Sequence, residues 1–171
     1  MHFAASARLT RKCRENRPRQ QYPCAGVCDQ MRIVMDTSVL VAGLRSSLGA
    51  SAALLKEIAA NRVELMASPA LFLEYEAVLK REEHGLPLQY VDGFLAELAL
   101  TIVPVEVRFV WRPQLTDAND EMVLEAAING QAEAIVTHNR RDFERAAQRF
   151  GIGVLSPAEL LVQIRQKGMQ P

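Results

Sequence analysis

Cysteine is almost missing from this chain. Of 171 residues only Cys13, Cys24 and Cys28 are cysteine, so nothing after residue 28 can form a disulfide framework or a thiolate metal site. That usage suits a cytoplasmic protein. The three cysteines contain no CxxC pair, and together with His2 they match no closed four-ligand zinc spacing. Long apolar runs are absent too: none approaches the roughly 20 residues that span a bilayer, so no membrane segment is expected and the chain should be soluble. There is no excess charge of one sign, because 20 Lys and Arg balance 20 Asp and Glu. A whole-chain attraction to nucleic acid is thereby excluded, but a local patch is not. No Gly-rich phosphate loop, internal repeat or low-complexity tract is present.

What charge there is lies unevenly. Residues 1–30 hold six Lys and Arg against Glu15 and Asp29, a balance of +4 that leaves −4 for residues 31–171. This first segment has no hydrophobic periodicity. Its only apolar stretch is too short and too early for a signal-peptide core, and the basic residues follow it. It reads as a disordered basic extension, with Met31 as an alternative start. One folded body is expected over residues 31–165, followed by a short disordered tail over 166–171. Hydrophobic residues make up 49% of the chain, enough for the core of one domain.

From Met31 the pattern changes to short apolar runs alternating with helical periodicity. "RIVM" precedes "SVLVAGLR" and "ASAALLKEIAAN", and "VELMA" precedes "PALFLEYEAVLKRE". "EAIVT" precedes "RDFERAAQRF", and "IGVL" precedes "PAELLVQIRQ". Such alternation predicts βαβ units, that is, an α/β fold with a mostly parallel sheet between helical layers. "SPA" marks two helix starts, at Ser68 and Ser156: the hydroxyl accepts from the first turn and Pro fits the first helical position. Residues Gln89–Ala99 read as a further helix. "TIVPVEVRFV" is a strand interrupted by Pro104.

In an open parallel sheet, ligands bind outside the carboxyl ends of the strands. Asp36, Thr37, Ser68, Thr137 and Ser156 fall at such ends. Three further places carry acids. Asp120 falls in the middle of the apolar stripe of a helix read as Asn119–Asn129, with Asp117 a natural N-cap; a carboxylate on a buried face is costly unless paired. On the helix after Ser68, Glu74 and Glu76 sit on opposite borders of the apolar face, and periodicity does not choose between them. After Thr137 come His138, Asn139, Arg140, Arg141 and Asp142. Carboxylates without Cys or paired His are hard oxygen ligands that suit Mg²⁺ or Mn²⁺. Gathered at one sheet edge they repel each other unless a cation neutralises them. Two ions about 3.5–4 Å apart in such a pocket activate water and stabilise the leaving oxygen of a phosphodiester.

Four blocks in order, "MRIVMDTSVLVAGLRS", "SPALFLEYEAVLKR", "RPQLTDANDEMVLEAA" and "AIVTHNRRDF", resemble the PIN-domain family. They are most similar to its branch of toxins from bacterial type II toxin–antitoxin systems. The resemblance spans Met31 to about Leu161. It implies a three-layer α/β/α sandwich and a Mg²⁺- or Mn²⁺-dependent endoribonuclease acting on RNA. It also implies inhibition by a small cognate antitoxin, and a homodimer. By position, Asp36, Glu74 and Asp120 match the family's first three acids, with Asp117 in support; Glu74 rather than Glu76 follows from the resemblance alone. The fourth acid's place holds Asn139, so Asp142 or a water would complete the metal site. Ser38 stands where the family commonly has Asn.

Arg45, Arg112, Arg140 and Arg141 lie in or near loops expected at the same edge and are candidates for RNA phosphate contacts. His138 reads as structural and Trp111 as a packing residue. The altered fourth position supports an alternative, a catalytically degenerate PIN-like protein that binds RNA or a partner without cleavage. A hydrolase of small phosphorylated metabolites is a third reading, with no phosphate loop behind it.

Overall fold

The apolar runs form five strands and the periodic segments form helices, with one or two helices between successive strands. A computed structural model describes residues 30–110, 112–118 and 120–168. Residues 1–29 of the basic extension, with Cys13, Cys24 and Cys28, together with Trp111, Asn119 and residues 169–171, therefore lie outside the described residues. The strands are β1 (Met31–Met35), β2 (Val63–Ala67), β3 (Val103–Pro104), β4 (Ala134–Val136) and β5 (Gly153–Leu155). All pair in parallel, in the order β3-β2-β1-β4-β5. The helices are α1 (Thr37–Arg45), α2 (Ala50–Ala59), α3 (Pro69–Leu79), α4 (Leu88–Thr101), α5 (Glu121–Gly130), α6 (Arg140–Arg149) and α7 (Pro157–Gly168). A single 3₁₀ turn, Glu82–His84, joins α3 to α4. The result is a three-layer α/β/α sandwich.

Parallel strands need helices on both faces, and their residues become apolar throughout. Ile33, Val34 and Met35 of β1 and all of β4 are fully buried. α5 lies across β1, β2 and β4, while α2 packs on β2 and α7. Gly43 permits the close approach of α1 to α2: a Cβ there would stand 2.7 Å from Leu55 Cδ1 and 3.3 Å from the Ser51 carbonyl carbon. Ser68 caps α3 as expected, accepting from Leu71 N–H at 3.2 Å. No single helix among the described residues is long and apolar enough to cross a membrane.

Four boundaries differ from the sequence reading. α4 extends to Leu88–Thr101, and α7 runs to Gly168, three residues into the expected tail. β3 is only two residues long and contains Pro104, which is tolerated because β3 is an edge strand. The segment after it is held as a loop by α5. Asn129 Oδ1 accepts from the N–H groups of Arg108 and Phe109, at 2.9 and 3.0 Å. Buried Glu121 accepts from those of Gln114 and Leu115, at 2.5 and 2.9 Å. The fourth difference is in α5 itself. α5 begins at Glu121, so Asp120 and not Asp117 holds the capping position, and it does so without a side-chain cap bond.

Candidate active site

The strand order reverses beside β1, whose neighbours are β2 on one side and β4 on the other. Loops leave in opposite directions at such a point and open a crevice at the carboxyl ends. The register pairs Met35 with Val136, so Asp36 and Thr137 emerge at the same level on the two sides of that crevice. Asp36 N–H still donates to Val136 O, at 2.9 Å, and its carboxylate then turns back to cap α1. Asp36 Oδ2 accepts from Ser38 Oγ at 2.6 Å and from Thr137 Oγ1 at 2.7 Å. Oδ1 accepts from Ser38 N–H at 3.3 Å and from Thr37 Oγ1 at 3.1 Å. A helix N-terminus and three hydroxyls thus hold one nearly buried anion in a single orientation.

Below it, Tyr75 Oη donates to Met35 O at 2.5 Å. Burial, and then the Asp36 charge, push this phenol far above its ordinary range, so it remains a neutral strut beneath the end of β1. Thr137 is fully buried and has a second bond: its Oγ1 accepts from Asn139 N–H at 2.9 Å. It thereby links Asp36 to the start of α6. Neither Tyr75 nor Thr137 stands out in the sequence as more than an apolar-face or strand-end residue.

Asp120 provides the electrostatic signature. Its carboxyl is pushed up to about 6, first by partial burial and then by the charges of Asp36, Asp117 and Asp142. Four aspartates from three separate segments therefore share one field at the carboxyl edge of the sheet. Asp142 sits in the first turn of α6 and accepts from the Asn139 side-chain amide. Glu74 is not among the charges that act on Asp120. It lies on α3 with Arg81 Nη2 at 3.9 Å. Glu76, on the opposite border, pairs with Lys80 at 2.6 Å, and Lys80 reaches Asp92 of α4 at 2.8 Å.

The candidate RNA contacts divide. Arg112 makes a two-pronged pair with buried Glu125, at 2.7 and 2.8 Å. Arg140 bonds Glu159, at 2.7 Å, and Glu144, at 3.1 Å, tying α6 to α7. Both are committed to protein carboxylates. Arg141 is exposed beside Asp142, and Arg45 is exposed at the end of α1. His138 is fastened to Ser51 Oγ at 3.0 Å.

A family model described as a PIN domain matches residues 32–141, well over half of the chain. The chain belongs to the PIN-domain family. No curated relative matches the sequence. The match takes in Asp36, Glu74, Asp117 and Asp120 and ends one residue before Asp142. PIN domains are generally nucleases and typically use divalent metals. Among the described residues of this PIN domain, no group of three or more His, Cys, Asp or Glu is arranged to hold an ion. The donors do fit one chemically. All are hard oxygens, and the Asp120 carboxyl is raised first by burial and then by three like charges that a cation would neutralise.

Proposed function

We propose that this PIN domain is a Mg²⁺- or Mn²⁺-dependent endoribonuclease, hydrolysing RNA phosphodiester bonds as the toxin of a type II toxin–antitoxin pair. The supporting observation is the shared field of Asp36, Asp117, Asp120 and Asp142 at the crevice where the strand order reverses. Asp36 and Asp120 would hold the cation, with Asp117, Asp142 and the Asn139 amide in support; Glu74 is assigned by family likeness. When bound, the cation would supply Lewis-acid activation of water and of the phosphate. The chain's own part is positioning. Ser38 and Thr137 fix the Asp36 carboxylate, Tyr75 keeps the end of β1 in place, and the buried floor excludes bulk water from one side.

The test is cleavage of RNA by the purified protein with Mg²⁺, with Mn²⁺ and with chelator. Asp36→Asn serves as the inactive control, and undiminished cleavage by that variant removes Asp36 from the mechanism. The toxin role, a small antitoxin, a homodimer and a cytoplasmic location rest on likeness to the toxin branch. Co-purification with a small DNA-binding protein encoded upstream, and the mass of the isolated protein, test the partners.

A second reading has its own observation. Asn139 replaces the fourth acid, and its amide occupies an oxygen of Asp142. On this reading the domain binds RNA or a partner without cleaving. RNA binding with no cleavage at any Mg²⁺ or Mn²⁺ concentration would favour it.

A further inference from the structure

Beside the acidic crevice lies a groove of about 690 Å³ between α1, the end of α3 and the 3₁₀ turn. One end is formed by Thr37 and Ser38, two of the three residues whose side chains donate to Asp36. Along its course stand Arg45, Arg81 and His84. Val41, Ala42 and Val78 supply apolar wall between them. From Thr37 to Arg45 the helix rises about 12 Å, more than one phosphodiester group spans.

We infer that this groove is the track for the RNA strand next to the scissile phosphate, with Arg45 and Arg81 on backbone phosphates and the apolar wall against a base or sugar. The inference rests on the RNA-binding part of the reading above and adds where the strand lies and what holds it. Three observations favour a polyanion. The Arg45 guanidinium has no hydrogen-bond or ion-pair partner among the described residues. Arg81 has only the distant Glu74 contact, at 3.9 Å, and is half exposed. His84 Nε2 is buried without a hydrogen-bond partner, with the Glu83 carboxylate 3.8 Å away. Arg45 and Arg81 stand in a body whose balance is −4, so they form a local positive track leading to an acidic centre. Arg112 and Arg140, by contrast, are both tied up by glutamates.

The test separates binding from cleavage. A short mixed-sequence single-stranded RNA with a fluorescent end label is titrated with the full chain in chelator, by anisotropy, over a range of salt. Arg45→Ala should weaken binding about fivefold, as losing one exposed charge contact does. It should also lower the slope of log affinity against log salt by about 0.7, one phosphate contact on a single strand. Arg45→Lys should recover most of that slope, because it restores the charge. Arg45→Ala combined with Arg81→Ala should lose about twice the slope. In cleavage assays with metal, Arg45→Ala should raise KM and leave kcat nearly unchanged.

Unchanged affinity and slope in the double variant overturn the track, as does absence of RNA binding by the wild type. Loss of antitoxin binding with RNA binding intact reassigns the groove to a protein partner and overturns it too. If the protein never cleaves but the slope falls as stated, the nuclease reading fails and the track stands.

Discussion

Replacing Asp120 by Asn keeps the side chain's shape and removes the one carboxyl among the described residues that the fold holds well above its ordinary range. In the folded chain that carboxyl stands at about 6 against an ordinary 3.8. The sign follows from proton linkage. A raised carboxyl means that the folded state binds the proton more tightly than the unfolded state does. The native fold therefore loses stability as pH rises from about 4 to beyond 6, and the whole penalty is present at neutral pH. Unscreened, a displacement of that size costs up to about 3 kcal/mol. The group is only partly buried, so solvent screening reduces the figure to about 1–1.5 kcal/mol. In the absence of divalent metal, Asp120→Asn should be more stable than wild type by that amount at about pH 7.5 and indistinguishable at about pH 4. At 2–4 °C per kcal/mol, the melting temperature should rise by about 3–5 °C. Thermal and urea melts in chelator at the two pH values measure it. Adding Mg²⁺ should then stabilise the wild type by mass action and the variant less, closing or reversing the gap. A loss of stability at neutral pH, or an equal gain at both pH values, would show that the fold does not hold the Asp120 carboxyl above its ordinary range.

The remaining expectations concern the supports of that site. Tyr75→Phe should cost about 1–2 kcal/mol in denaturant melts, because a buried carbonyl of β1 loses its donor; a neutral result would mean that the carbonyl finds another partner. Arg112→Ala should destabilise by about 2 kcal/mol by stranding buried Glu125, while RNA affinity stays near wild type; the reverse pattern would make Arg112 a substrate contact after all. Metal titrations of cleavage should show Asp142→Asn needing more Mg²⁺ than Asn139→Ala, since the amide carries no charge to offset the ion. Wild-type behaviour of Asp142→Asn with a dead Asn139→Ala would reduce Asp142 to a helix-start residue.

The sequence by itself determined the alternation of strands and helices, because each signal is local. The runs "RIVM", "VELMA" and "IGVL" are strand grammar, and Ser68-Pro69 states a helix start within two residues. It also determined that Asp36 ends a buried strand, which is where an α/β sheet presents its chemistry. What it left open required partners distant along the chain. The segment after Pro104 reads as strand by composition, yet Asn129 and Glu121 bind its N–H groups from about 20 and 7 residues away and hold it as a loop. Periodicity placed Glu74 and Glu76 on equal footing. Only the packing of α4 gave Lys80 a second acid in Asp92 and left Glu74 beside Arg81. Four arginines looked alike as RNA contacts until folding paired Arg112 with Glu125 and Arg140 with Glu159. Arg45, Arg81 and His84, spread over 40 residues, line one groove because α1 and α3 pack together. Local propensity chooses each element. The fate of a charge depends on which oppositely charged side chain the tertiary fold brings within reach.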